Sequence, residues 1–361
     1  LKGNSYYEMR RDSVREIMRE NHLNGVLLTS LENISYLCGF TGSDGAFILT
    51  SDGCYFLCDS RYWTQADQEV KGCQIVHYKK KLDGISSLLL ELDVKKIGFE
   101  STSLTFSLYQ SLLGKLTNQA ELCPLEGEIR NLRAAKDEAE MILIRKAIDL
   151  ASQAFLHITE RLEEGAVEKD VALEMEFFMK RTGVQGLGFD VIIASGKRSA
   201  LPHGRASEKR IEKGDFILID FGSDFRGYHS DQTRTLICGN PSPEQQKIYQ
   251  IVKEAHDRAL DRVCSGIPIR EVDQAAREYI QDQGYGDYFG HGTGHGIGLA
   301  VHEDPVVNSE NEDLLREGMV FTIEPGIYIP DWGGVRIEDM VRVTPHGAEV
   351  LTYLPTELRV V

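Results

Sequence analysis

The chain has no apolar run approaching the roughly 18–20 uninterrupted residues that a membrane-crossing helix requires. It also has no basic excess: 40 Lys and Arg stand against 56 Asp and Glu, a formal net charge of −16. That balance argues against nucleic acid, whose recognition uses a basic patch. Part of the acidity could belong to a metal site, which would neutralise it locally. The cysteines number seven, odd and scattered, so a disulfide framework is not indicated and free thiols in a reducing cytoplasm are expected. Cys54 and Cys58 could share one strand face, but no second Cys or His pair accompanies them, so buried small side chains are a better reading than zinc. The opening stretch LKGNSYYEMRRDSVREIMRE is charged and amphipathic with no apolar signal region, and a cytoplasmic location is the expectation. What is present is ordinary for a packed protein: 42% hydrophobic and 27% charged residues over 361 positions, a length that favours two domains.

Residues 1–130 alternate helical and strand patterns. A charged helix near 5–22 leads into the apolar run Gly25-Val-Leu-Leu-Thr29. The strand-like segments Ala46-Phe-Ile-Leu-Thr50 and Cys54-Tyr-Phe-Leu-Cys58 are joined by the turn Ser51-Asp52-Gly53. A polar helix at 61–71, the segment Gln74–Tyr78, a helix at 83–92 and Lys96–Phe99 complete a small α/β domain with no nucleophile or metal cluster of its own.

Residues 131–361 have a different grammar. Asp137, Glu138 and Glu140 open a helix that runs toward Glu163, and a second helix at 168–182 stops at Gly183. Strand-like segments follow at Phe189–Ala194, Asp215–Phe221 and Tyr228–Ile237. The order then recurs. Ser242-Pro-Glu-Gln245 is a capping box with proline at the first helical position, opening a helix to about Cys264. A helix at 270–283 and strands at 319–328 and 334–343 follow. Helix pair plus strands, twice, predicts an internal duplication whose half-domains meet around a cleft.

The informative residues are acids inside hydrophobic strands: Asp220 in Phe216-Ile-Leu-Ile-Asp220-Phe221, Glu324 in Val320-Phe-Thr-Ile-Glu324, and Glu338 in Gly334-Val-Arg-Ile-Glu338. A buried, unpaired carboxylate costs several kcal/mol or shifts its pKa until it is neutral. One such acid could pair with a basic side chain, and Arg336 could serve one of them, but the strands offer too few bases for all three. Asp231 follows Asp220 by 11 residues (231 − 220) across a Gly222–Gly227 loop, so antiparallel pairing could put both acids on one face. Like charges that close are reasonable with a metal between them.

Histidine completes the set. The segment Gly290-His-Gly-Thr-Gly-His295-Gly-Ile-Gly298 is too glycine-rich for a helical zinc-protease motif and lacks the βαβ frame of a dinucleotide site. Its glycines permit close backbone approach and could aim His295 at a cleft. His22, His77, His157, His256 and His346 read as core or surface residues. Asp220, Asp231, Glu324, Glu338 and His295 form a hard donor set suited to manganese, cobalt, iron or zinc. Their four carboxylates carry −4, which two divalent ions would balance. Two ions a few ångströms apart lower the pKa of a shared water and polarise a carbonyl.

Leu201-Pro-His-Gly204, Ile219-Asp-Phe-Gly222, Tyr228–Thr235, His291–Gly298, Thr322-Ile-Glu-Pro-Gly326 and Val335-Arg-Ile-Glu338 together resemble the pita-bread metallopeptidases, in the branch of aminopeptidase P and prolidase. Phe40-Thr-Gly-Ser43 and Asp59-Ser-Arg-Tyr62 resemble the creatinase-type N-terminal domain of that branch. The resemblance implies an α+β protein: an N-terminal α/β creatinase-type domain at 1–130 and a pita-bread domain with a pseudo-two-fold repeat at 131–361. It implies that Asp220 chelates one ion, that Asp231 and Glu338 bridge two, and that His295 and Glu324 complete the other site, with manganese the expected metal. It further implies that His302 stabilises the oxyanion and that Glu324 shuttles a proton. His203 matches a neighbouring histidine of the family's site, and His291, Tyr328 and Arg336 match positions bordering a proline pocket. The expected substrate is a peptide with proline at its second position, and a homodimer is expected. An Xaa-Pro bond lacks the amide N–H that strand-gripping proteases use, so a metal-centred site suits it.

Within this branch, the Phe40–Ser43 and Asp59–Tyr62 stretches put aminopeptidase P first, with prolidase, an Xaa-Pro dipeptidase, as the alternative. A creatinase-like hydrolase is disfavoured by the intact ligand set, and methionine aminopeptidase by the large N-terminal domain. A non-catalytic interaction module on a peptidase fold is the reading from another class; such relatives lose ligands.

Overall fold

In the computed structural model, which describes residues 3–361, the chain divides into two compact units, one reaching to Arg133 and the other spanning Ala134–Val361. The first unit holds α1 (Gly3–Glu20), β1 (Gly25–Leu28), α2 (Leu31–Cys38), β2 (Ala46–Thr50), β3 (Cys54–Cys58), α3 (Trp63–Glu69), β4 (Gln74–His77), α4 (Lys81–Glu91), β5 (Lys96–Glu100), α5 (Phe106–Leu116), β6 (Glu121–Leu125) and α6 (Glu128–Ala134), which crosses the boundary. Its six strands form one mixed sheet in the order β4-β3-β2-β1-β5-β6. The predicted Ser51–Gly53 turn does join an antiparallel pair, β2 with β3. Leu27, Ile48, Leu57, Ile85, Leu89, Ile97 and Leu112 make the core between the sheet and its helices.

The second unit begins with α7 (Glu138–Thr159), capped by an Asp137–Glu140 box, and α8 (Glu168–Thr182), which ends at Gly183 in a left-handed conformation (φ 110°). Then come β7 (Gly186–Leu187), β8 (Ile192–Ser195), β9 (Phe216–Phe221), β10 (Ser223–Phe225), β11 (Tyr228–His229) and β12 (Gln232–Ile237). The second pass has α9 (Pro243–Arg262), α10 (Arg270–Asp282), β13 (Gly294–Gly296), β14 (Glu303–Val307), β15 (Val320–Ile323), β16 (Gly326–Ile329), β17 (Gly333–Arg336), β18 (Asp339–Thr344) and β19 (Gly347–Val350). The predicted capping box of α9 forms in full, with Ser242 and Gln245 exchanging hydrogen bonds and Pro243 at the first turn.

The duplication is visible in the packing. Each helix pair lies on its own strands and fills its own core. Ala151, Phe155, Met175 and Met179 meet Ile193, Ile217, Ile219 and Phe221 in the first half. Ile248, Val252, Val272 and Ala276 meet Phe321, Ile323, Val335 and Val341 in the second. The halves touch where Thr233 of β12 bridges Glu338, the Glu338 N–H donating to the Thr233 carbonyl at 3.1 Å. A cleft of about 820 Å³ opens beside this seam.

Three expected strands are broken in the structure. The segment 228–237 divides into β11 and β12, 319–328 into β15 and β16, and 334–343 into β17 and β18. The interruptions hold Asp231, Glu324 and Glu338. Pro325 has no N–H to continue a ladder. The Phe189–Ala194 segment pairs only from Ile192.

Candidate metal centre

All ten residues that the sequence singles out line this one cleft: His203, Asp220, Asp231, His291, His295, His302, Glu324, Tyr328, Arg336 and Glu338. Asp220 rides on the fully buried strand β9, opposite Thr233 of β12 in antiparallel register. Asp231 lies in the break just before β12, two residues from Thr233. The expected Gly222–Gly227 loop instead holds β10, so the two acids are brought together by β9–β12 pairing rather than by a simple hairpin. His295 is the middle residue of β13, between glycines that cannot be replaced. A Cβ on Gly294 would lie 1.9 Å from the Thr322 carbonyl oxygen, and one on Gly296 2.0 Å from that of Asp304. The glycine-rich motif thus lets β13 pack against its neighbours so tightly that His295 is delivered into the cleft.

Asp231, His295 and Glu338 each offer a donor atom within 4.8 Å of the others'. His295 Nε2 is 3.6 Å from Asp231 Oδ2 and 3.5 Å from Glu324 Oε1. Its Nδ1 lies 3.1 Å from the Gly296 carbonyl, which can only accept, so Nδ1 carries the proton and Nε2 presents its lone pair to the acids. Burial holds the His295 imidazolium down to a pKa of about 4, and the neutral ring is the form a metal takes.

The acids are under the opposite pressure. Burial, then the charges of Glu338, Asp220 and Glu324, push Asp231 well above the carboxylate range. Burial followed by Glu324 and Asp220 does the same to Glu338. Glu324 is pushed up to about 7, again mainly by burial. Asp220 is raised too, although the Arg336 guanidinium donates to its Oδ2 at 2.6 Å; desolvation outweighs that partner. The Oδ1 atoms of both Asp220 and Asp231 are buried and accept no hydrogen bond. Orphaned acceptors beside a bare imidazole nitrogen are the environment a divalent cation satisfies, so the residues present fit a metal.

Around the donors sits a layer that sequence reading missed. Thr233 donates to Glu338 Oε2 at 2.7 Å and accepts from Arg336 Nε at 3.0 Å. Arg234 donates to the backbone carbonyls of Thr233 (2.9 Å) and Glu338 (2.6 Å) and to Asp339 Oδ1 (2.6 Å). Both residues lie inside the Tyr228–Thr235 motif; a threonine and an arginine within an expected strand were the available signal, and the strand proves buried at every position. Arg336, expected at a substrate pocket, is itself buried. It gives its remaining contacts to the Tyr328 hydroxyl (2.9 Å) and the Pro202 carbonyl (3.2 Å). His291 Nε2 meets the same hydroxyl at 3.0 Å. The His302 ring lies 4.2 Å from that of His295, tilted by 53°, and His302 stands exposed with His203.

Comparison with known proteins agrees with this geometry. Residues 142–345 match the model of metallopeptidase family M24, and residues 10–135 that of the creatinase/prolidase N-terminal domain. The chain is 41% identical to a Xaa-Pro dipeptidase of Pyrococcus horikoshii, over 95% of this chain and 96% of the relative. Its structure superposes on a solved Xaa-Pro dipeptidase from Bacillus anthracis with a TM-score of 0.95 at 41% identity, covering 98% and 100% of the two chains. It also superposes on an X-Pro aminopeptidase from Thermotoga maritima with a TM-score of 0.87 at 37% identity, covering 94% and 98%. A duplicated α+β unit with carboxylates and a histidine at its seam, preceded by a creatinase-type domain, places the chain in metallopeptidase family M24.

Proposed function

We propose that the protein is an Xaa-Pro dipeptidase that uses two divalent ions, manganese first among the candidates and cobalt, zinc or iron next. The carrying observation is the buried donor cluster Asp231, His295 and Glu338, flanked by Asp220 and Glu324, in a cleft of about 820 Å³. The dipeptidases of P. horikoshii and B. anthracis, alike over nearly the whole chain, move the reading from aminopeptidase P to prolidase. Two ions held by these five residues would acidify a bound water and polarise the scissile carbonyl. The remaining work falls to side chains. Glu324 takes the proton of the attacking water and passes it to the leaving proline nitrogen. His302 donates to the developing oxyanion, with His203 beside it on the cleft wall. His291 and Tyr328 border the proline ring.

A dipeptide also brings a free carboxylate next to the ring, and a cation should meet it. Arg336 is already committed to Asp220, Tyr328, Thr233 and Pro202. Arg205, at the cleft rim, is paired only loosely with Asp190, at 3.5 Å with both side chains exposed. The reading therefore assigns it the carboxylate. The X-Pro aminopeptidase of T. maritima supports a second reading, in which the cleft takes longer peptides. One experiment separates them: kcat/KM of the manganese-loaded protein on Xaa-Pro against Xaa-Pro-Yaa-Zaa. A dipeptidase favours the former, and Arg205→Ala should erase about tenfold of that preference. Equal or better turnover of the tetrapeptide by the unaltered protein returns the assignment to aminopeptidase P. Full activity after exhaustive chelation would sink both readings.

A further inference from the structure

His291 sits in a loop between Gly290 and Gly292, neither of which has a side chain to hold it. What fixes the loop comes from one turn of α10. Asp273, wholly buried, accepts from the Thr293 N–H (3.1 Å) and hydroxyl (2.8 Å) through Oδ1. Its two oxygens also take the Arg277 guanidinium in a fork, Nε to Oδ2 at 2.7 Å and Nη2 to Oδ1 at 2.8 Å. Thus locked, Arg277 donates onward to two backbone carbonyls, Phe289 at 3.0 Å and His291 itself at 2.7 Å. Its guanidinium carbon lies 4.3 Å over the Phe289 ring, which in turn meets the His291 imidazole edge-on at 5.1 Å.

The far side of His291 is equally defined. Nδ1 lies 2.7 Å from the Gly292 carbonyl, so it carries the proton, and Nε2 is left to accept from the Tyr328 hydroxyl at 3.0 Å. That hydroxyl accepts from Arg336, the partner of Asp220. A helix-borne ion pair that needed only stability would be complete with the fork. Here its spare donors are spent on the peptide units that carry His291, and neither Asp273 nor Arg277 lines the cleft.

We propose that Asp273 and Arg277 are a positioning pair, which sets the orientation and tautomer of His291 toward the substrate's proline ring. The inference rests on the reading that His291 borders that ring. Two hydrogen bonds lost from the loop correspond to roughly a 30-fold fall in kcat/KM. The test is a double-mutant cycle on Xaa-Pro substrate. Asp273→Asn/Arg277→Met changes both partners together, so that no buried charge is left alone. It should lower kcat/KM by that factor, chiefly through KM, while the bound metal per chain is unchanged. In a His291→Ala background the same pair of substitutions should cost less than about threefold, because the group they position is gone. Arg277→Lys, which keeps one donor, should recover part of the loss, and Thr293→Val offers a milder probe if the double variant folds poorly. Equal losses in both backgrounds, or no effect of His291→Ala, overturns the proposal. Failure of the unaltered protein to cleave Xaa-Pro bonds would instead overturn the substrate reading, and the cycle would then be run on whichever peptide it does cleave.

Discussion

Arg336 donates to Asp220 at 2.6 Å, and this single guanidinium changes the charge count at the centre. Four carboxylates against one cation leave −3, which one divalent ion undershoots and two overshoot by one unit each. Charge alone therefore no longer decides between one ion and two, and the two-ion reading rests on the proposed function. That an arginine could serve one of the acids was legible in Val335-Arg-Ile-Glu338, but which acid it would choose was not, because the pairing crosses between the halves of the fold. Thr233 is a sharper case. Its hydroxyl joins Glu338 to Arg336, so Thr233→Val should weaken metal affinity by roughly 10- to 100-fold, as loss of a group that orients a ligand commonly does. Titration of the metal-free protein would show it, and unchanged affinity would remove Thr233 from the centre. Outside the site, Cys54 and Cys73 are neighbours in the first unit, with Arg11 Nη1 3.5 Å from Cys73 Sγ. The hydrogen bond with Cys73 holds the Cys54 thiol down to about 7, while burial pushes Cys38 up to about 12 and Cys58 up to about 11. The thiolate form rises with pH, so mass spectrometry should find Cys54 alkylated first by iodoacetamide at pH 7. In Cys73→Ala its half-maximal rate should move toward pH 8.5, the value of a free thiol.

At the scale of elements, the segments with local punctuation were readable and the rest were not. The helix at 168–182 stops at Gly183 because the chain there turns left-handed, and α9 starts at Pro243 because Ser242 and Gln245 satisfy its first free N–H groups. Removing that cap with Ser242→Ala should cost about 1 kcal/mol. For a unit of this size that is a fall in Tm of about 2–4 °C by calorimetry, with kcat unaffected. The short helix α2 escaped notice. Its eight residues, LENISYLC, span only about two turns, too short a stretch for periodicity to separate helix from strand. It forms because Ser30 caps Asn33, Gly39 ends it, and five of its side chains are buried. The broken strands escaped for a related reason. Apolar runs such as 319–328 read as continuous, yet pairing with different partners on either side of Glu324 divides them: β15 ladders with β18, and β16 with β17. Asp231, Glu324 and Glu338 sit at these changes of partner, whereas Asp220 stays within the β9 ladder. Their presence in apolar strands betrayed the site; their function as break points required the tertiary pairing.

For the whole molecule, the decisive feature is that two separately packed halves meet at a seam of buried carboxylates. Without cations the seam opposes folding, since Asp231, Glu324 and Glu338 all have raised affinity for protons in the folded state. Unfolded, the same groups titrate near 3.9–4.3. Between those values and their folded pKa, the folded chain binds more protons than the unfolded one, so its stability falls as pH rises. Glu324, at about 7, places part of that fall across neutrality. The chelated protein should therefore gain Tm as pH is lowered from 8 to about 6.5; below that, His291 and His295, held neutral with pKa values of about 4, oppose the gain. With metal present the dependence reverses, because protons compete for the ligands and the ions bind more weakly in acid. At a hundredfold excess over Kd an ion contributes about 2.7 kcal/mol to folding, enough to separate the two curves at pH 8. Thermal unfolding across this range, with excess chelator in one series and excess manganese in the other, should give curves that converge toward acid pH. Parallel curves would mean that the seam is neutralised by something other than metal, and Arg336 would then be the first residue to replace.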